Sequence, residues 1–140
     1  MSRIFWDTNL FIYLIENRGE QATQTARVAE KMRQRGDTLF TSTFTLGELL
    51  VRPTTLGNRG LCDSYESILS NHATLISFDA GAARSYALIR GDKTIKAPDA
   101  IQLACASHAA VDMFITNDAR LAGKLVPGIQ FIVPLANAYL

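Results

Sequence analysis

The run Arg3-Ile4-Phe5-Trp6-Asp7-Thr8-Asn9 decides how the rest of the chain is read. Arg3 to Trp6 reads as a short buried strand that ends at Asp7, and a helical stretch follows through Asn9–Ile15. A strand that passes through a carboxylate straight into a helix is the start of a β–α unit. The same arrangement recurs near the other end, where Met113 to Thr116 reads as a strand closed by Asn117-Asp118.

Between these two points strands and helices alternate. Gln21 to Arg35 reads as an exposed amphipathic helix with Ala22, Ala26, Ala29 and Met32 as its apolar stripe, and Gly36 ends it. Thr38 to Ser42 is a second strand. Thr43 or Thr45 can cap the next helix, which carries Leu46, Glu48, Leu49 and Leu50 and is stopped by Pro53. Asp63 to Asn71 is helical, Ala73 to Ser77 is a strand, and Asp79 is an N-cap for a helix over Ala82 to Arg90. Pro98 opens a helix that runs to Ala110. Ala119 to Leu125 reads as a short helix and Ile129 to Val133 as a fifth strand. Alternation of this kind predicts a parallel sheet of about five strands covered by helices on both faces. In such sheets sites form beyond the carboxyl ends of the strands, where Asp7 and Asp118 both fall.

The chain has 140 residues, 48% of them hydrophobic and 19% charged, which fits one domain over 1–140 with a core of ordinary size. Cys62 and Cys105 match no metal-binding spacing and read as reduced thiols. The opening segment is broken by Asp7 and Asn9 and is followed by no small-residue cleavage site, so it does not read as a signal peptide. No stretch approaches the ~18 apolar residues of a membrane span. The expectation is a soluble, cytoplasmic protein. The net charge of +1 is uninformative alone, but ten of the 14 basic residues are Arg, the side chain better suited to forked phosphate contacts. Arg84, Arg90, Lys93 and Lys96 could border the path of a phosphate-bearing substrate, and a solvated face explains them equally well.

Four acids stand out, and each has an ordinary alternative. Asp7 and Asp118 follow strands and could be helix N-caps. Asp99 sits in a first helical turn, where an acid complements the helix dipole. Glu48 lies among Leu46, Leu49, Leu50 and Val51 and could still face solvent, while Gly47 beside it could let its carboxylate approach another element. Taken together they form the donor set that hard Mg²⁺ or Mn²⁺ prefers. Without a cation such carboxylates would repel each other and raise each other's pKa; with one they are tolerable and can serve phosphodiester hydrolysis. Asp79, Asp92 and Asp112 read as cap, loop and turn residues. His72 and His108 are isolated and read as surface residues. No GxSxG, GxxxxGK[ST] or GxGxxG motif is present. Phe5, Trp6, Phe11 and Tyr13 read as core or dimer surface.

Four segments in order, IFWDTNLFIYLIE, TSTFTLGEL, APDAIQLACA and FITNDARL, resemble the PIN-domain family and its VapC-like toxin branch. The resemblance spans nearly the whole chain. It implies a three-layer α/β/α sandwich and a Mg²⁺-dependent (or Mn²⁺-dependent) endoribonuclease that hydrolyses RNA with metal-activated water, leaving a 3′-hydroxyl and a 5′-phosphate. Its acids fall on Asp7, Glu48, Asp99 and Asp118 as catalytic and metal-binding residues, with Thr116 and Asn9 in support. It also implies the toxin of a toxin–antitoxin pair, inhibited by a VapB-like antitoxin, and a homodimer. Two rivals are a non-catalytic module of the same fold that binds RNA or protein, and a phosphatase of the haloacid dehalogenase type. The latter requires a second Asp where this chain has Asn9.

Overall fold

The computed structural model describes all 140 residues, Met1–Leu140. Five strands, β1 (Arg3–Trp6), β2 (Thr38–Ser42), β3 (Thr74–Ile76), β4 (Met113–Thr116) and β5 (Phe131–Pro134), form one sheet in the order β3-β2-β1-β4-β5. Every adjacent pair is parallel, with Phe5 opposite both Phe40 of β2 and Phe114 of β4. Six helices connect and cover them: α1 (Thr8–Glu16), α2 (Gly19–Arg35), α3 (Thr43–Thr55), α4 (Arg59–His72), α5 (Ala80–Ile89) and α6 (Ala97–His108).

Strand side chains alternate between the two faces of the sheet, and both faces are apolar. On one face Phe5, Phe40, Phe114 and Ile132 pack with Ala82 and Ile89 of α5 and with Ala100, Leu103 and Ala104 of α6. The Phe5 and Phe114 rings stack at 5.1 Å between centroids. On the other face Ile4, Trp6 and Ile115 meet Leu10 and Phe11 of α1, Val28 and Met32 of α2, Leu49 of α3 and Leu69 of α4. The result is the expected α/β/α sandwich with five parallel strands. Because β1 is central, the chain leaves it toward β2 on one side and later returns to β4 on the other. The loops that follow β1 and β4 diverge, and a crevice opens between their carboxyl ends.

The strands β2 and β4 have the bounds that the sequence predicts, and Asp79 caps α5 by accepting the Ala82 N–H at 3.0 Å. Four readings need correction. The 119–125 segment is a run of turns rather than a helix: its bonds, such as Leu121 N–H to the Asp118 carbonyl, span only three residues, and Gly123 has φ +81°. Pro53 does not stop α3, which continues to Thr55; the left-handed Gly57 at φ +67° turns the chain just beyond it. The cap of α3 is Ser42, whose hydroxyl accepts the Thr45 N–H, and not Thr43 or Thr45. The buried stripe of α2 is Ala22, Thr25, Val28 and Met32, while Ala26 is exposed. Thr25 is tolerated there because its hydroxyl donates to the Gln21 carbonyl at 2.7 Å.

Gly47 also plays a smaller part than its place beside Glu48 suggested. A Cβ at this exposed position in α3 would meet nothing within 4 Å. Gly47→Ala is therefore expected to stabilise the protein by about 0.4–1 kcal/mol, through helix propensity and a less flexible unfolded chain. Urea unfolding measures this; a loss of stability would mean that residue 47 needs the space.

Candidate active site

The crevice between β1 and β4 is an open pocket of about 350 Å³, and Asp7, Glu48, Asp99 and Asp118 all line it. Four separate elements bring them there. Asp7 is the residue between β1 and α1, Glu48 lies in the second turn of α3, Asp99 in the first turn of α6, and Asp118 two residues beyond β4. Asn9, Tyr13, Pro98 and Gln102 complete most of the wall.

The acids are not equivalent. Asp7 is only 6% exposed. One of its oxygens accepts the Thr8 N–H at 2.8 Å and the other the Thr116 hydroxyl at 2.8 Å. It is thus the N-cap of α1 and a pocket-lining carboxylate at once. Burial pushes its pKa up to about 6 against the opposing pull of those two hydrogen bonds, and Asp99 and Glu48 add to the rise. Asp99 is half-buried and its pKa is also raised, first by burial and then by the neighbouring Asp118 charge. Glu48 reaches the Thr8 hydroxyl, which donates to it at 2.5 Å. Asp118 faces Arg120, whose Nε and Nη2 donate to its two oxygens at 3.0 and 2.8 Å, and this fork lowers its pKa. In this arrangement no three His, Cys, Asp or Glu side chains are drawn close enough to enclose an ion by themselves.

Beneath the acids lies a buried polar network that the sequence reading missed. Gln102 sits at its centre, 2% exposed. Its amide nitrogen donates to the Thr8 hydroxyl at 2.9 Å and to the Thr45 hydroxyl at 2.7 Å, and lies 3.4 Å from Asp7. Its carbonyl oxygen accepts the Ser42 hydroxyl. Thr45 lies 2.8 Å from Thr41, whose hydroxyl also donates to the Trp6 carbonyl. One amide therefore ties α6 to α1, α3 and the end of β2. The available signal was spacing: Gln102 falls three residues after Asp99 and so shares its helix face.

A family model described as the PIN domain matches residues 4–124. The chain belongs to the PIN domain family. Seventeen chains of solved structures also match it, and the comparison with curated proteins found no match. VapBC2 from Rickettsia felis, bound to a DNA fragment from its promoter, is 18% identical over 94% of this chain and 97% of that one, with a TM-score of 0.73. DNA-bound VapBC from Salmonella typhimurium is 22% identical over 96% and 99%, with a TM-score of 0.70. A toxin–antitoxin complex from Klebsiella pneumoniae is 24% identical over 94% and 100%, with a TM-score of 0.64. At these identities the likeness is one of fold.

Other residues singled out in this PIN domain sit apart from the pocket. His108 packs against Gly81 and lies 3.4 Å from Asp79, on the α5–α6 side. Asp112 accepts the Arg3 N–H at 2.8 Å at the start of β1, and Asp92 holds Lys124 at 3.0 Å. Cys62 and Cys105 are free. Phe5, Trp6 and Phe11 are core, whereas Tyr13 lines the pocket and its hydroxyl accepts from the Asn117 amide at 2.7 Å. No helix is long and apolar enough to cross a membrane.

Asp7 destabilises the folded state when it is ionised. Its folded pKa of about 6 lies above the unfolded value near 3.8. The penalty is therefore full above pH 6 and disappears as pH falls toward 4. In EDTA at pH 7.5, Asp7→Asn is expected to be more stable than wild type by about 2–3 kcal/mol, and the two should converge near pH 4. Urea titrations at both pH values test this; an Asn variant no more stable at pH 7.5 would show that the carboxylate is not under strain.

Proposed function

We propose that this chain is a Mg²⁺- or Mn²⁺-dependent endoribonuclease and the toxin of a toxin–antitoxin pair, with a VapB-like antitoxin as its partner and a second copy of itself as its dimer mate. The observation that carries the reading is the meeting of four acids from distant parts of the sequence on one open pocket at the switch point of a parallel sheet. The partner follows from the likeness to the VapBC complexes, and the dimer from the VapC-like branch that the sequence resembles.

The chemistry of the donor set fits a hard divalent cation. All four candidate ligands are carboxylates, and no histidine or cysteine lines the pocket. Burial first, and the neighbouring carboxylates second, raise the pKa values of Asp7 and Asp99, and a bound cation offsets both costs. Asp7, Glu48, Asp99 and Asp118 would hold it. When bound, the ion polarises a phosphodiester and makes the attacking water more acidic.

The chain's own residues do the positioning. Thr8 N–H and the Thr116 hydroxyl fix both oxygens of Asp7. Thr8 also orients Glu48, and Gln102 in turn holds Thr8. Asn9 lines the wall with a neutral amide able to donate to a phosphate oxygen without adding charge. Its neutrality removes the second acid that the phosphatase reading required. Ordered carboxylates on rigid elements, open to solvent on one side, suit hydrolysis of a large polymeric substrate.

Asp99→Asn should cut the cleavage rate at least about a hundredfold, since it removes a ligand worth several kcal/mol in the transition state. Asp7→Ala should abolish cleavage while leaving the circular dichroism of the fold intact. Induced expression of wild type beside Asp7→Ala, scored for growth and for RNA cleavage, tests the whole reading. Undiminished Mg²⁺-dependent cleavage by purified Asp7→Ala would sink it. A wild type that binds RNA but never cuts it in Mn²⁺ would point instead to a non-catalytic module.

A further inference from the structure

Of the four acids, Asp118 alone has both oxygens taken by a cationic side chain of the same chain. Arg120 Nε and Nη2 grip it as a fork, and the Arg120 backbone N–H adds a third bond at 3.0 Å. The backbone beneath this contact is anchored independently. Leu121 is buried in the core, Leu121 N–H bonds to the Asp118 carbonyl, and Lys124 ties the same turn to Asp92 at 3.0 Å and to Thr94 at 2.7 Å. The Arg120 side chain, in contrast, is 67% exposed. Releasing the fork therefore requires only a side-chain rotation at the rim of the pocket: the guanidinium can swing into solvent, although Asp118 itself is only 19% exposed.

A cation entering among the acids and the Arg120 fork thus compete for the same carboxylate oxygens. A guanidinium matches a phosphate as well as a carboxylate, with two parallel N–H donors. Resting on the reading above, we infer that Arg120 is an exchangeable positioning residue. It neutralises Asp118 while the pocket lacks a cation, and once displaced it clamps a phosphate of the bound nucleic acid at the pocket rim. The anchored turn keeps the freed fork beside the crevice. The exchange couples the two ligands: phosphate binding gains a donor only after the cation has taken Asp118.

The test measures two affinities and needs no knowledge of the RNA target. Binding of Mn²⁺ alone is followed by electron paramagnetic resonance, and binding of inorganic phosphate at saturating Mg²⁺ by calorimetry, for wild type, Arg120→Ala and Arg120→Lys. Arg120→Ala is expected to bind Mn²⁺ about fivefold more tightly, because a competitor for Asp118 is gone. It should bind phosphate about tenfold more weakly in Mg²⁺, because the fork is gone. Arg120→Lys, which keeps the charge without the fork, should lie between wild type and Ala in both. A purely structural Arg120 would give the opposite sign for Mn²⁺, since a disordered turn loosens the site. Unchanged Mn²⁺ affinity, or unchanged phosphate affinity, in Arg120→Ala overturns the exchange while leaving the nuclease reading in place. A wild type that binds no Mn²⁺ at all removes that reading and the exchange with it.

Discussion

The pocket depends on one interaction, the burial of an ionisable carboxylate at the end of the central strand. Asp7 is almost out of contact with water, and neutral donors reach both of its oxygens. Two hydrogen bonds offset part of the desolvation cost but not all of it, so the group titrates near 6 instead of near 4. Proteins tolerate such a group where its strain serves a purpose, because stability lost at a site can be regained elsewhere in the fold. The regained part is visible here in two continuous apolar layers, one on each face of the sheet.

The network around Gln102 explains how four distant segments stay in register beneath this strained group. A buried amide is costly unless every donor and acceptor is used. Gln102 uses them on Thr8, Thr45 and Ser42, so it can occupy only one rotamer and one depth. That constraint passes to α6 and hence to Asp99 in its first turn. It passes equally to Thr8, which holds Glu48. A leucine at this position would pack, but it would leave three hydroxyls without the amide that organises them.

Much of the fold is legible in the sequence because each strand has an apolar or β-branched centre and each is followed by a polar or helix-forming segment. β2 and β4 fall where the pattern puts them. The misreadings arise where tertiary context overrides local signals. Residues 119–125 have helical composition, yet Asp118 and Arg120 bind each other and Gly123 adopts a left-handed turn, so only short-range bonds form. Of the stripe that the pattern predicts in α2, Ala22 and Met32 are buried and Ala29 partly so, but Ala26 is exposed, because the helix turns Thr25 and Val28 to the sheet instead. The acids were visible as candidates since strand ends and helix starts mark the edge of a parallel sheet. Gln102 was not, because a glutamine between Ile101 and Leu103 looks like a surface residue until its partners are placed in space.

The four acids form a gradient from fixed to free, and the helix ends account for it. Asp7 caps α1 and accepts the Thr8 N–H, and Asp99 lies in the first turn of α6, so each carboxylate sits near the positive end of a helix dipole. Those dipoles hold two like charges near each other at a tolerable cost. Glu48 lies in the second turn of α3, beyond the reach of such help, and relies on the Thr8 hydroxyl. Asp118 precedes no helix at all, because the segment after it forms only turns. Lacking a dipole, it pairs with an exposed positive charge two residues on, Arg120. The missing helix and the carboxylate–guanidinium fork therefore go together: with a single backbone N–H, that of Arg120, in place of a helix end, a side chain supplies the positive charge, and a side chain can let go.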